Sequence, residues 1–201
     1  MSAIEKRIHD AAIRIFAEKR IDEINVSELA QTAGVARGTI YKKLESIDSL
    51  FEDVASQLAA EMNDRVGRSA APDLAPEQRL ANGIRFYIRR AHEEPHWGNF
   101  LVRYSASSAS LQKLWDGPPV RDVLDGLSQQ RYSFRPEQLV SVIGLLAGSV
   151  LFAITLVLEG HKTWRDAGSD TAELVLRALG VSPDEARAFA TAPLPVLPSI
   201  D

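Results

Sequence analysis

Residues 25–44, NVSELAQTAGVARGTIYKKL, read as two short helices joined by a tight turn. Asn25 supplies an N-cap and Glu28 follows three residues later, which is the pattern of a capping box. Gly34 ends the first helix, because a left-handed residue after a helix costs little only when it is glycine. Ile40 has the spacing to anchor the second helix from its inner side. The stretch therefore predicts a helix-turn-helix unit.

The outer face of the second predicted helix is polar and basic. It presents Arg37, Gly38, Thr39, Tyr41, Lys42 and Lys43. Within residues 25–44 three cations stand against the single acid Glu28, although the whole chain has a net charge of −4. Phosphate contact requires a local basic excess of this kind. The second helix of such a unit lies in the major groove of DNA, where Arg37 and Lys42 suit guanine edges and Thr39 suits a thymine methyl.

The rest of the chain also reads as helix, so the predicted fold class is all-α. An amphipathic helix precedes the unit, and Ser46 is the expected N-cap of a long helix that follows it. Prolines and glycines divide the remainder into predicted helices at 76–93, 95–106, 111–132 (broken at 117–119), 136–159, 170–179 and 183–190.

The composition is that of an ordinary soluble protein, with 201 residues, 45% apolar and 25% charged. The absence of cysteine excludes disulfides and thiolate metal sites and suits a reducing compartment. The charged N-terminus has no signal-peptide pattern, so we expect a cytoplasmic protein.

Residues 11–51, AAIRIFAEKRIDEINVSELAQTAGVARGTIYKKLESIDSLF, resemble the DNA-binding domain of TetR-family transcriptional regulators. The resemblance implies a helix-turn-helix DNA-binding domain over 1–46 and a helical ligand-sensing and dimerisation domain over 47–201. It implies a sequence-specific regulator, a repressor released by a ligand and acting as a homodimer on a palindromic operator. The alternative is a DNA-binding structural or cell-division protein of the same fold that has no inducer.

By position, the resemblance assigns Arg37, Thr39, Tyr41 and Lys42 to the DNA-facing helix, while Gly38 lets the backbone approach the duplex. The Tyr41 hydroxyl and Lys43 are expected on phosphates, and Asn25 is expected near the DNA backbone. Four residues depart from the family pattern. Arg20 replaces a glycine, Ala36 a serine N-cap, Leu44 an aromatic residue and Ile47 a lysine. Losing the cap and one phosphate contact predicts weaker DNA binding with a flatter salt dependence.

Aromatic residues in the second half suggest a site for a small apolar or amphipathic ligand. The predicted ligand-binding residues are Phe86, Trp97, Phe100, Tyr104, Trp115 and Phe152. Each of them also fits an ordinary core position, and that alternative stays open.

Residues 138–158 contain no charge and include Gly144 and Gly148 in a G-x-x-x-G pattern. The length suits a membrane span, but no cluster of Lys and Arg flanks it. We therefore predict no membrane insertion, and a homodimer interface formed by 136–159 with 170–179.

Residues 92–96, HEEPH, match the letters of the zinc-protease pattern H-E-x-x-H, which works only on an unbroken helix. Pro95 breaks the helix, so the two histidines are expected on different helices. No catalytic, metal or cofactor pattern remains, and we expect a protein that is not an enzyme.

Overall fold

The computed structural model describes residues 2–69, 71 and 73–199, and within them it contains helices and no β-strand. The α-helices are α1 Ala3–Glu18, α2 Val26–Ala33, α3 Arg37–Lys43, α4 Ile47–Ser69, α5 Pro76–Glu93, α6 Pro95–Tyr104, α7 Ala109–Asp116, α8 Pro118–Ser128, α9 Leu139–Leu158, α10 Trp164–Ala178 and α11 Pro183–Thr191. Short 3₁₀ turns lie at Ile21–Glu23 and Pro136–Gln138. The all-α prediction is confirmed.

Most helices of the structure begin and end close to the residues that the sequence predicts. The Ser46 hydroxyl accepts a hydrogen bond from the Ser49 N–H at 3.0 Å, so Ser46 does cap α4. The prediction for α10 was wrong at its start, because the helix begins at Trp164 rather than at 170. Its N-cap is Thr163, whose side chain accepts from the Asp166 N–H.

The break in HEEPH is confirmed. The helix α5 ends at Glu93 and α6 begins at Pro95, with Glu94 between them in a non-helical conformation (φ −126°, ψ 76°). His92 and His96 therefore lie on different helices, and the geometry that the zinc-protease pattern needs is not formed.

The N-terminal core is built by α1, α2, α3 and the start of α4. Phe16, Leu29, Ile40 and Leu50 are fully buried there. The helix α4 then continues into the core of the second half, where Met62 is fully buried. One continuous helix of 23 residues is thus shared by both halves of the molecule.

The helix α6 joins the second half to α1. The Tyr104 hydroxyl donates a hydrogen bond to the carbonyl of Lys19 at 2.9 Å. The Tyr104 ring also lies edge-on to Phe51, with ring centroids 4.9 Å apart, and Phe51 in turn meets Phe16 edge-on at 5.3 Å. Aromatic pairs with this geometry stabilise the contact between the two halves.

Candidate DNA-binding surface and effector cavity

The turn between α2 and α3 depends on Gly34, which has a left-handed backbone (φ +62°). The N–H of Val35 bonds to the carbonyl of Ala30 at 2.9 Å and that of Gly34 to the carbonyl of Gln31 at 3.1 Å, which closes the helix as a Schellman motif. From α1, the guanidinium of Arg7 donates to the carbonyl of Gly34. This hydrogen bond from α1 therefore holds the turn between α2 and α3 in place.

Asn25 is the N-cap of α2 and accepts from the N–H of Glu28 at 3.0 Å, as predicted. The predicted capping box is only half formed, because the carboxylate of Glu28 pairs with Lys19 at 2.6 Å instead. That ion pair ties the end of α1 to α2. The competing partner is nine residues away in the sequence, so the local pattern does not show it.

The helix α3 buries one residue, Ile40, and turns its other side to solvent. Arg37, Gly38, Tyr41, Lys42 and Lys43 are exposed and Thr39 is half-buried. Tyr41 is 70% exposed, which is unusual for so large a ring without a partner. A Cβ at Gly38 would meet no atom within 4 Å, so nothing inside the protein requires glycine there. The surface that these six residues and Asn25 form is the candidate DNA-binding surface.

Lys43 is held by Glu5 of α1, with Nζ 2.8 Å from Oε1. The same carboxylate accepts the N–H of Ser2 at 2.8 Å. The hydrogen bond from Lys43, followed by the one from Ser2, lowers the pKa of Glu5 from 4.5 to about 2. This bond uses one of the three N–H donors of the Lys43 ammonium group.

The residues that depart from the family pattern have identifiable surroundings. Ala36 is the N-cap of α3 and makes no side-chain hydrogen bond. Leu44 and Ile47 are half-buried and pack against the core. Arg20 pairs with Asp22 at 3.1 Å in the 3₁₀ turn. Leu44 and Ile47 thus contribute to packing, whereas Ala36 leaves the first turn of α3 without a side-chain cap.

A small cavity of about 20 Å³ lies between α4, α5, α7, α8 and α9. Aliphatic and proline side chains form most of its wall, together with Tyr87, Trp115 and Asp122. A volume of that size holds about one water molecule. Val66, near the end of α4, is part of the wall, so the shared helix reaches from the helix-turn-helix to the cavity.

The structure brings only one of the six predicted ligand-binding residues, Trp115, to this cavity. Phe100 and Tyr104 belong to the aromatic cluster at the junction of the two halves, and Phe86 is fully buried away from the cavity wall. Trp97 lies under Arg90 (4.7 Å) beside a separate open cleft of about 440 Å³. Phe152 is 66% exposed on the outside of α9 and does not line this cavity.

The cavity-wall residues that are not in the predicted set lie on the faces of helices and do not form an aromatic motif. Leu80, Ile84 and Tyr87 recur along one face of α5 and line the cavity together. Their spacing is visible in the sequence. It marks a buried face without distinguishing a core from a cavity.

The helix α9 leaves one side uncovered. Val140, Gly144, Gly148 and Phe152 follow one another at intervals of four residues, and all four are exposed. Leu174 of α10 is also exposed, at 60%. By length and composition alone, Pro136–Leu158 has the character of a membrane span, with a mean hydropathy of 2.5 and 22% of its most apolar window buried. Core helices of soluble proteins meet the same test, so this is weak evidence.

Comparison with solved structures extends over nearly the whole chain. RolR in complex with resorcinol superposes with a TM-score of 0.74, at 25% identity over 97% of this chain and 96% of that one. The regulator FadR from Bacillus subtilis, in complex with stearoyl-CoA, superposes with a TM-score of 0.71 at 18% identity over 89% and 98%.

Two curated proteins match over shorter segments. The HTH-type transcriptional regulator YvdT of Bacillus subtilis is 31% identical over 61 residues, which are 30% of this chain and 31% of that protein. Rv1255c of Mycobacterium tuberculosis, of the same description, is 27% identical over 89 residues, or 44% of each chain. The matches thus span less than half the length of these curated relatives.

An exposed basic helix set on a glycine turn, and carried by a larger helical domain, places the protein in the class of helix-turn-helix DNA-binding regulators. Residues 8–54 match the model of bacterial regulatory proteins of the tetR family, and residues 75–192 match the tetracyclin repressor-like C-terminal domain. The chain belongs to the TetR family.

Proposed function

We propose that this protein is a homodimeric transcriptional repressor that binds a palindromic operator and leaves it when a small molecule occupies the second domain. The observation that carries the proposal is the presentation of α3, which buries Ile40 and offers a basic face to solvent in an acidic chain. We place the domain boundary at 46/47 and the site of action in the cytoplasm, with regulation rather than catalysis as the role.

On DNA, α3 enters the major groove. Arg37 and Lys42 hydrogen-bond to guanine edges and Thr39 contacts a thymine methyl. Tyr41 donates its hydroxyl to a phosphate, and Gly38 allows close approach of the helix backbone. The N-terminal end of α2, capped by Asn25, lies beside the DNA backbone, where helix N–H groups attract phosphate.

Lys43 contributes a phosphate contact by exchanging Glu5 for DNA. The exposed pair with Glu5 is worth little in water, so a phosphate competes with it readily. The exchange also leaves the Glu5 carboxylate near the DNA, which lowers the net gain.

The uncovered side of α9, with Leu174 of α10, forms the homodimer interface. Gly144 and Gly148 have no atom within 4 Å of an added Cβ, so they leave room for a partner helix to approach closely. Burying Val140 and Phe152 removes an exposed apolar patch that is uncommon on a monomeric soluble protein. Two copies of α3 would then lie about 34–36 Å apart, one turn of DNA, or a multiple of it.

Release follows from the position of the cavity on α4. A ligand that binds more tightly to a conformation with displaced recognition helices shifts the population toward it, whereas equal affinity for both conformations shifts nothing. The path runs from Val66 in the cavity wall to Phe51 in the N-terminal core, along one helix. The RolR and FadR complexes support ligand control in proteins of this fold.

The test uses the purified protein and a palindromic fragment selected from genomic DNA. Compounds that raise the melting temperature of the protein are then added to the DNA complex in a mobility-shift assay. We expect at least one of them to release the DNA. A complex that resists every stabilising compound would contradict ligand control and favour the structural protein without inducer.

A further inference from the structure

Residues 193–199, PLPVLPS, follow α11 and form an extended strap along the second half of the molecule. Three of these seven residues are proline, whose fixed φ makes the segment stiff and lowers the entropy lost when it is held in place. Leu194 and Leu197 are half-buried and pack against the core, whereas Val196 between them is 84% exposed. The strap lies beyond residue 192, where the matched C-terminal domain ends.

The far end of the strap is held by the last turns of α4. Nε of Arg65 donates to the carbonyl of Pro198 at 2.7 Å, and Nη2 of Arg68 donates to the carbonyl of Ser199 at 3.1 Å. Hydrogen bonds from a charged guanidinium are stronger than those between neutral groups. The side chain of Arg65 is only 16% exposed, so water competes little for its bond.

The near end of the strap is held by α5. Nη1 of Arg85 donates to the carbonyl of Ala192 at 2.7 Å, immediately before the strap begins. Nε2 of Gln78 donates to the carbonyl of Phe189 in α11 at 3.0 Å. The helix α5 itself packs against α9 and α10. The strap therefore connects the body of the second half to the end of α4, the helix that also belongs to the N-terminal core.

Arg65 also belongs to a chain of ion pairs. It pairs with Glu61 at 3.3 Å, and Glu61 pairs with Arg90 of α5 at 2.7 Å. The guanidinium of Arg90 lies over the ring of Trp97 in α6, 4.7 Å from its centroid. Since α6 packs against α1, these contacts extend from the strap to a helix that touches the DNA-binding unit.

We propose that the strap fixes the end of α4 and thereby sets the distance between the two recognition helices of the dimer, with Arg65 as the positioning residue. A palindrome is bound through two half-sites at once, so the affinity for it depends on that distance, whereas the affinity for a single half-site does not. A helix that is already held in one position also loses less freedom when DNA binds. This inference rests on the proposed homodimer and its operator, and it adds the element that positions α4.

The first experiment measures amide hydrogen exchange of the full-length protein without DNA. Leu197→Ser should detach the strap and speed exchange in residues 61–69 of α4 about tenfold, because the bonds to Arg65 and Arg68 are then lost. The matched control is Val196→Ser, at the neighbouring exposed residue, which should exchange as the wild type does.

Arg65→Met keeps the strap and removes its less exposed anchor, so it should speed exchange in the same residues. Combined with Leu197→Ser it should add little, because both changes break the same contact. Exchange in residues 61–69 that is unchanged in Leu197→Ser and Arg65→Met, or effects of the two that simply add, would overturn the proposal.

The second experiment compares binding to the palindromic operator with binding to a fragment that contains one half-site, well below the melting temperature. Leu197→Ser is expected to bind the palindrome about fivefold to tenfold more weakly than the wild type and the half-site with unchanged affinity. Val196→Ser should match the wild type on both fragments. An equal loss on both fragments would indicate general damage to the DNA-binding unit, and no loss would mean that the strap does not set the distance; either result would overturn the proposal.

The outcomes separate this inference from the proposed function. If the wild type binds no palindrome, the proposed repressor is refuted, and the exchange experiment alone decides whether the strap holds α4. If the wild type binds its palindrome and Leu197→Ser behaves as the wild type in both experiments, the repressor stands and the role of the strap is refuted.

Discussion

Gly34→Ala is the substitution whose effect the structure defines most completely. The residue has φ +62°, a conformation that costs a residue with a Cβ about 1–2 kcal/mol. The added Cβ would also lie 2.6 Å from Nη2 of Arg7, so that flexible side chain must move away. Moving it breaks the hydrogen bond to the carbonyl of Gly34, which at this exposed position is worth about 1 kcal/mol.

The free energy of unfolding of Gly34→Ala should therefore fall by about 2–3 kcal/mol in urea denaturation followed by circular dichroism. In an Arg7→Ala background the same change should cost only the backbone part, about 1–2 kcal/mol. The double-mutant cycle thus predicts a coupling of about 1 kcal/mol between the two positions.

Gly38→Ala is the matched control for the same cycle. Its added Cβ meets nothing within 4 Å inside an exposed helix, so the variant should be as stable as wild type or gain up to about 1 kcal/mol. A Gly34→Ala variant as stable as Gly38→Ala, or an additive cycle with Arg7, would refute the role assigned to the turn.

Three other changes test separate parts of the structure. Phe152→Glu should convert the dimer to a monomer in sedimentation velocity. The control is Val196→Glu, which changes an exposed apolar residue outside α9 and should leave the dimer intact. A Phe152→Glu variant that remains dimeric would contradict the proposed interface. Ala36→Ser should supply a side-chain N-cap for α3 and raise the free energy of unfolding by about 1 kcal/mol in urea denaturation. No gain would mean that the N–H groups in the first turn of α3 already have partners. Glu5 has a pKa lowered from 4.5 to about 2, so its pair with Lys43 stabilises the fold above pH 4.5 and is lost as the pH falls toward 2. Glu5→Gln should therefore remove part of the acid sensitivity in that range. It should also bind DNA more tightly, because Lys43 no longer exchanges a carboxylate for a phosphate and no carboxylate is left near the DNA. Unchanged acid unfolding and DNA binding would exclude both effects.

The helix-turn-helix was predictable because its determinants are local. The cap at Asn25, the left-handed Gly34 and the anchor Ile40 act within a few residues of one another, and helix rules describe such distances well. The half-formed capping box was not predictable, because Lys19 takes the Glu28 carboxylate from another helix. The same holds for Lys43, whose partner Glu5 is 38 residues away.

The cavity was largely missed, since aromatic character does not indicate where a side chain points. Phe100 and Tyr104 serve the junction of the two halves, and Phe152 faces outward. Tyr87 and Asp122 also line the cavity, but nothing in the sequence sets them apart. Tyr87 stands in the same helix pattern as its neighbour Phe86, and a buried carboxylate cannot be told from an exposed one. The predicted start of α10 is late because it does not take Thr163 as the N-cap.

Selection of genomic fragments bound by the protein tests the account most directly, with Tyr41→Ala as the comparison at the same salt concentration. Tyr41 is 70% exposed, so its removal should leave the fold intact and affect only the contact with DNA. The account predicts that the wild type enriches a palindromic site and that Tyr41→Ala fails to do so. Equal recovery by the two proteins, or no enriched site for the wild type, would contradict the assignment of α3 as a sequence-reading helix.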